Sequence, residues 1–236
     1  MNTSDPRLLS IASDLAQRRG YSVTKACFVG QKDFTFKWKI GPRTLELSIS
    51  DYLQDAPDQV IEDFVAGCMT YIFKEPHHFG ESFISHMTSD RFILEKRPIF
   101  LRRTRRLTGS DVGEHRAIFD SVQRLLDSGL LKESDIENTL FSWSTGDNLT
   151  RLGYCSQLFR VVMISSVFDD PEVPERLLDY VVYHECLHLR QGYRPFNHNP
   201  HDSAFHKEER MFPDQPAVEK ELREMLQRIR RRKKRN

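Results

Sequence analysis

The segment YVVYHECLHLRQGY, residues 180–193, constrains the chain more than any other stretch. It joins a largely apolar, helix-like run to the motif His-Glu-x-x-His, formed by His184, Glu185 and His188. Side chains four residues apart lie on one face of an α-helix, so both imidazoles can reach an ion about 2.0–2.1 Å from each ring nitrogen. Unpaired imidazoles are uncommon in an apolar helix, so the segment predicts a buried helix that binds Zn²⁺. The alternative is a helix whose two histidines are satisfied within the core.

Glu185 directly follows the first histidine and is expected to project beside that ion. Zinc lowers the pKa of a bound water toward about 7. A carboxylate at this position can therefore take a proton from the water at neutral pH and pass it to a leaving amine. The pattern predicts a hydrolase in which Glu185 is the general base.

A catalytic zinc site needs a third protein ligand and one open coordination position. One extended protease pattern has a histidine six residues after the second ligand, but this chain has Arg194 there, which excludes that pattern. Another protease class uses a glutamate about 20 residues further on, and Glu208 fits that spacing. The candidates after the motif are His198, His201, His206, Glu208 and Glu209. Spacing alone leaves His201 and Glu208 as the main alternatives.

Helical and strand patterns follow one another irregularly along the chain. An N-terminal helix ending near Gly20 precedes three strand-like runs, YSVTKACFV, DFTFKWKI and TLELSIS, whose turn signals favour a small antiparallel meander. A helix in DQVIEDFVAGCMTYIFK follows, whereas residues 75–113 show no clear period and are interpreted as a linker. A helix in EHRAIFDSVQRLLDSGLL then precedes three short strand candidates, LFSWS, RLGYCSQ and RVVMISSVF. The histidine helix is expected from Pro174 to Gln191 and to end at Gly192, with two more helices from near His201 and Pro216.

This order predicts an α+β fold, because strands and helices do not alternate strictly as they do in a doubly wound sheet. The predicted organisation has three parts. Residues 1–110 hold the first helix, the strand meander and the linker, residues 111–227 form the metal-binding domain, and residues 228–236 are a basic tail.

Composition narrows the class of protein further. Hydrophobic residues make up 39% of the 236-residue chain, which is enough to bury a core. No apolar run approaches the roughly 20 residues that a membrane span needs, and the N-terminal segment is typical of an amphipathic helix rather than a signal peptide. The four cysteines form no Cys-x-x-Cys pair, which indicates reduced thiols in a cytoplasmic protein.

Five elements in one order carry a family resemblance: RLGYCS (residues 151–156), VVMISSVF, LDYVVYHECLHL, NPHDSAF and FPDQPAVEKEL. With them, residues 141–225 resemble the YgjP-like and SprT-like zinc metallopeptidases. The resemblance implies a zincin-like domain in which a small antiparallel sheet packs on the HExxH helix, with an N-terminal α/β extension. It also implies zinc-dependent cleavage of protein or peptide substrates.

In these families the histidine of a His-x-x-x-Phe element is the third zinc ligand, which corresponds here to His201, with Phe205 four residues on. The resemblance therefore favours His201 over Glu208. This chain departs from the family strand motif at Leu152 and Tyr154, and it lacks the C-terminal zinc ribbon of many SprT-like proteins.

The strand that begins at Arg151 lies along the active-site cleft in those families, as an edge that could pair with an extended peptide. Tyr154 could offer its phenol to a developing oxyanion, although packing roles for Tyr154 and Cys155 are the alternative. Cys186, between the two motif histidines, is interpreted as a core residue.

Two basic segments could bind the phosphates of a nucleic acid. They are KRPIFLRRTRR, from Lys96 to Arg106, and the tail RIRRRKKRN, of which Arg228 to Arg235 carries the charge. The tail holds seven positive charges while the whole chain carries a formal net charge of +1, so the rest of the chain carries −6. The alternative is a solvated basic face and a solubilising tail. The resemblance to SprT-like proteases, which act on proteins trapped on DNA, favours the nucleic-acid interpretation.

Two further hypotheses compete with an always-active peptidase. In one, the protein binds DNA or RNA without catalysis and the zinc site is structural. In the other, residues 75–113 cover the cleft of a peptidase until it is activated.

Overall fold

The computed structural model describes residues 3–76, 79–196 and 199–233. The chain divides into two compact units, residues 1–103 and 104–236, so the boundary lies a few residues before the one expected near residue 110. Helices and small sheets occur in both units, and the predicted α+β class is confirmed.

The first unit begins with helix α1 (Pro6–Gln17), whose start is fixed by local chemistry. The Asp5 side chain accepts a hydrogen bond from the backbone N–H of Leu8 at 3.0 Å, and Pro6 occupies the first turn, where its missing N–H has no cost. The remaining elements are strands β1 (Ser22–Val29), β2 (Phe36–Ile40) and β3 (Thr44–Ser50), a 3₁₀ turn (Asp51–Leu53), and helices α2 (Asp58–Ile72), α3 (Glu81–Thr88) and α4 (Asp90–Arg103).

The three strands do not form the predicted antiparallel meander. Their order in the sheet is β1-β3-β2, with β1 parallel to β3 and β2 antiparallel to β3. The tight turn at Gly41-Pro42 does join β2 to β3 as an antiparallel pair, but β1 pairs on the far side of β3. The prediction was wrong for β1 because alternation of apolar and polar residues identifies a strand and not its partner.

The interpretation of residues 75–113 as a linker was also wrong, because residues 81–103 form α3 and α4. The buried face of α4 consists of Phe92, Ile93, Lys96 and Phe100 at helical spacing. Because Lys96 occupies one of the buried positions and Pro98 lies inside the helix, the sequence of α4 does not show a clear helical pattern of apolar residues. Lys96 is tolerated there because its ammonium group donates a hydrogen bond to the carboxylate of Asp55.

The second unit contains a three-stranded sheet and five helices among the described residues. These are α5 (Ile118–Asp127), α6 (Glu133–Ile136), β4 (Leu140–Trp143), β5 (Gly153–Ser156), β6 (Val161–Ile164), a 3₁₀ turn (Ser166–Asp169), α7 (Glu175–Gln191), α8 (Ser203–Glu209) and α9 (Gln215–Lys233). The strand order is β4-β6-β5, with β4 parallel and β5 antiparallel to β6. The predicted antiparallel pairing is therefore correct only for β5 and β6. The chain passes from β4 to β5 at the opposite edge before it returns as β6, and β6 consequently lies parallel to β4.

Helix α7 is the centre of this unit and packs against α5, the sheet, α8 and α9. Ten of its 17 residues are buried. Pro174 precedes its first residue, and Gly192 ends it with φ = +70°, a left-handed conformation that favours glycine. The expected bounds of the histidine helix are thus confirmed, and the surrounding core holds it in place.

Candidate metal centre

Three histidines of the second unit bring their ring nitrogens together. His184 and His188 lie one turn apart on α7, and His201 stands two residues before α8. One ligand atom from each of the three lies within 4.8 Å of the other two. The Nε2 atoms of His188 and His201 are 3.1 Å apart. Two nitrogens on one tetrahedral zinc ion lie roughly 3.3 Å apart, given Zn–N bonds of about 2.0–2.1 Å, so this donor set fits a metal ion.

Hydrogen bonds on the far side of two of the rings fix which nitrogen is free. His184 Nδ1 lies 2.7 Å from Oε1 of Glu209, and His188 Nδ1 lies 3.4 Å from Oε1 of Gln191. Both oxygens are acceptors, so each Nδ1 donates the hydrogen bond, and Nε2 is the nitrogen that presents a lone pair when the ring is neutral. Carboxylate or amide oxygens behind ligating histidines set ring orientation and raise ligand basicity, which favours a cation at this point.

Phe205 forms the apolar support beneath all three imidazoles. Its ring centroid lies 5.0 Å from that of His184, 4.6 Å from that of His188 and 4.7 Å from that of His201. Asp202 caps α8 by accepting a hydrogen bond from the Phe205 backbone N–H at 2.8 Å. This cap therefore positions both His201, which directly precedes Asp202, and the ring of Phe205, which follows it.

The electrostatics of the three rings differ. Burial, together with the neighbouring imidazoles of His184 and His201, lowers the pKa of His188 to about 4. Burial also lowers the pKa of His201, so both rings are neutral near pH 7. Burial alone would lower the pKa of His184, but the hydrogen bond that its Nδ1–H donates to Glu209, together with the negative charges of Glu185 and Glu209, outweighs burial and raises that pKa. The same hydrogen bond lowers the pKa of Glu209 to about 2, which keeps this carboxylate ionised.

Glu185 lies beside the histidines with only 7% of its surface exposed. Burial raises the pKa of its carboxyl group to about 7, against the opposing charges of His184 and Arg151. Its side chain rests on the backbone of Gly153 at the start of β5, where a Cβ atom would lie 2.3 Å from Oε1 of Glu185. Strand β5 and helix α7 therefore approach each other closely at Glu185, and only a glycine at position 153 leaves room for the Glu185 side chain.

A cleft of about 740 Å³ opens in front of these groups, within the roughly 300–1,000 Å³ usual for ligand sites. His184, Glu185 and His188 line it from α7, and residues 150–155 line it from β5 and the preceding loop. β5 is an edge strand of its sheet. Tyr154 is half-buried in this wall, with the guanidinium of Arg151 5.5 Å above its ring centroid.

The other candidate residues after the motif lie elsewhere. Glu208 forms an ion pair with Arg190 at 2.5 Å and does not join the three histidines. His206 Nδ1 lies 3.1 Å from Oε2 of Glu209, so both oxygens of that glutamate are engaged by imidazoles. His198 lies outside the described residues.

The cysteines follow the simplest interpretation. All four are free thiols. Cys186 is fully buried in the core, which confirms its interpretation, and burial raises its pKa. Cys155 is half-buried in the cleft wall, where burial raises its pKa well above the ordinary value.

Sequence reasoning missed the groups behind the histidines. Glu209 was considered as a ligand and is instead the hydrogen-bond partner of one. The Tyr180 hydroxyl lies 3.1 Å from Oε1 of Glu209 and 2.9 Å from Oε1 of Glu219, and thus connects α7, α8 and α9. Tyr180 stands four residues before His184, on the same face of α7, and this spacing is the signal that could have found it.

Some of the basic side chains in the two segments have partners within the protein. Within Lys96 to Arg106, Lys96 is buried, and Arg103 donates two hydrogen bonds to the carboxylate of Asp51. Arg102, Arg105 and Arg106 are exposed. The tail continues α9 as far as Lys233, and residues 234–236 lie outside the described part of the chain. Binding of nucleic acid stays a prediction.

No family model, curated protein or solved structure matches this chain. The resemblance to YgjP-like and SprT-like peptidases therefore stays a prediction carried by the sequence elements alone. Among the described residues, none of the helices combines the length and the apolar character required to cross a bilayer.

Proposed function

We propose that this chain is a zinc-dependent metallopeptidase in which His184, His188 and His201 hold the ion and Glu185 is the general base. One observation supports this proposal above the others. Three imidazoles whose ligand nitrogens lie within 4.8 Å of one another stand beside a buried carboxylate, at the wall of an open cleft.

His184, His188 and His201 would hold the zinc ion, which would lower the pKa of a water molecule toward about 7 and polarise a carbonyl oxygen. Glu185 accepts the proton of the attacking water on its carboxylate and returns it to the departing amine nitrogen. Gly153 leaves space for that carboxylate, and the surrounding burial excludes competing solvent. Glu209 and Gln191 hold the imidazoles in the tautomer that this requires.

An extended peptide fits along β5, because an edge strand offers main-chain groups for pairing and residues 153–155 line the cleft. Arg151 adds positive charge at the same wall. These features support a protein or peptide as the substrate, which is also the substrate class that the sequence resemblance implies.

A non-catalytic, structural zinc site is less well supported. Structural sites have four protein ligands. Within the described residues, the metal-binding group contains three histidines and no fourth candidate.

The test is Glu185→Gln in the full chain, loaded with zinc. We expect the variant to retain the metal and to lose cleavage of a quenched fluorescent peptide by about 10²- to 10⁴-fold, the usual contribution of a general base. Metal content measured by atomic emission separates loss of chemistry from loss of the ion.

Two matched variants test the ligand assignment. His201→Gln should weaken metal binding by at least ~100-fold, more than removal of an outer hydrogen-bond partner does. Glu208→Gln should leave metal binding and cleavage near wild-type levels.

Wild-type cleavage by Glu185→Gln would refute the mechanism, and a metal-loaded wild-type chain that cleaves nothing would favour the non-catalytic alternative.

A further inference from the structure

The cleft does not stop at the histidines but continues along α7 toward α9. Tyr180 and Val181, one turn before His184 and Glu185, line it from α7. Leu222, on α9, and Leu152, in the loop before β5, line it as well. We call the space bounded by Leu152, Val181 and Leu222 the α9 pocket.

The polar groups around the α9 pocket already have partners within the protein. One carboxylate oxygen of Glu219 accepts hydrogen bonds from the Tyr180 hydroxyl at 2.9 Å and from Gln215, and the other lies 3.4 Å from the guanidinium of Arg223. Arg223 itself is largely exposed at the rim. The surface left to face the pocket is therefore mainly aliphatic.

The wall formed by α9 is fixed at several points. The Tyr180 hydroxyl connects α9 to α7, and Arg176 of α7 pairs with Glu221. Further along the helix, the guanidinium of Arg230 donates a hydrogen bond to the carbonyl oxygen of Leu149 at 2.6 Å, which ties α9 to the loop at the mouth of the cleft. A pocket with fixed walls selects ligands by size, because little rearrangement can accommodate a wrong side chain.

We propose that the α9 pocket is a selectivity pocket for one large, uncharged, apolar side chain of an extended peptide bound beside His184. Leu222 sets the size of the side chain that fits. The pocket rejects charged side chains, because its aliphatic walls offer them no partner. This inference rests on the proposed peptidase function and names the class of substrate for it.

The experiment measures peptide binding apart from cleavage. The full chain with Glu185→Gln is titrated, by fluorescence anisotropy, against labelled peptides of Gly and Ser in which one position at a time carries leucine, phenylalanine, alanine, aspartate or lysine. At one position we expect leucine or phenylalanine to bind roughly 10- to 200-fold more tightly than alanine or a charged residue, the range that an apolar pocket provides.

Variants at the wall assign this preference to the pocket. Leu222→Ala should move the preference from leucine toward phenylalanine, and Leu222→Trp should abolish it. Leu226→Ala is the matched control. It removes a partly buried leucine one turn further along α9 that does not line the cleft, and it should leave the preference unchanged. Circular dichroism checks that each variant folds. If Leu222→Trp does not fold, the comparison of Leu222→Ala with the wild type is sufficient for the test.

The outcomes separate the two proposals. A preference for a charged side chain would refute the pocket proposal. So would a preference that is the same in the wild type, the Leu222 variants and the Leu226 variant. If the zinc-loaded wild type cleaves all peptides of the set at equal kcat/KM, the pocket fails and the peptidase stands. If no peptide is cleaved but binding depends on Leu222, the peptidase fails and the pocket stands. A chain that neither binds nor cleaves any peptide of the set overturns both.

Discussion

Replacing Gly153 by alanine would place a methyl group where Glu185 now lies. The added Cβ atom would stand 2.3 Å from Oε1, 2.6 Å from Cγ and 2.7 Å from Cδ of Glu185. Ordinary contact begins near 3.4 Å, so the carboxylate must move by roughly 1 Å. Glu185 is the flexible partner of this contact, and we expect it to rotate away while β5 keeps its pairing with β6.

A misplacement of about 1 Å in a reacting group costs on the order of 100-fold in rate. The cost in folding is expected to be about 1–3 kcal/mol, as for other overpacked sites. The assay is kcat for cleavage of a fluorescent peptide by the zinc-loaded variant, beside its metal affinity and its unfolding in urea. Because the three atoms nearest to this Cβ position all belong to Glu185, metal affinity should stay within a few-fold of wild type.

A Gly153→Ala variant that folds, binds zinc and cleaves at the wild-type rate would show that the carboxylate tolerates displacement, against this prediction. A metal affinity that falls as steeply as kcat would also contradict it, because the substitution would then act through the histidines. Gly146→Ala is the matched control, since a Cβ atom at that glycine would meet nothing within 4 Å.

Two further predictions concern groups behind the site. Glu209→Gln keeps an oxygen near His184 Nδ1 but removes the charge, so zinc affinity measured by chelator competition should fall about 10- to 100-fold, and unchanged affinity would contradict this role. Burial alone would raise the pKa of Asp135, but hydrogen bonds from Arg190 and from the Lys132 backbone lower it below its ordinary value of 3.8. The pair therefore stabilises the fold above that value, by about 1.5–3 kcal/mol, and this stability is lost as the pH falls through the lowered pKa. Urea unfolding of Asp135→Asn should show the full deficit at pH 6 and a smaller one near pH 3, whereas an equal deficit at both pH values would refute it.

Features encoded locally could be predicted from the sequence. Pro174 and Gly192 mark the two ends of α7 by their own backbone preferences, and both ends lie where expected. The spacing of His184 and His188 is a property of any helix, so their shared face could also be predicted. His201 was preferred to Glu208 only through a resemblance, and the structure brings His201 to the pair while Arg190 binds Glu208.

Features that depend on distant partners could not be predicted. The parallel pairing of β1 with β3 leaves no mark on the alternation of either strand. α4 was missed because Lys96 occupies a buried position that only Asp55, 41 residues away, makes tolerable. The role of Glu209 was missed for the same reason, since its contact with His184 exists only when α8 packs on α7.

His201 lies 13 residues after His188 and four residues before Phe205 of α8. Binding of an ion by His188 and His201 would therefore change the stability of the folded chain. An ion shared by His188 and His201 would join α7 to the segment directly ahead of α8, and at a free concentration one hundred times its Kd it would add about 2.7 kcal/mol to the free energy of unfolding. Removal of zinc by a chelator would then lower the free energy of unfolding as well as empty the proposed site.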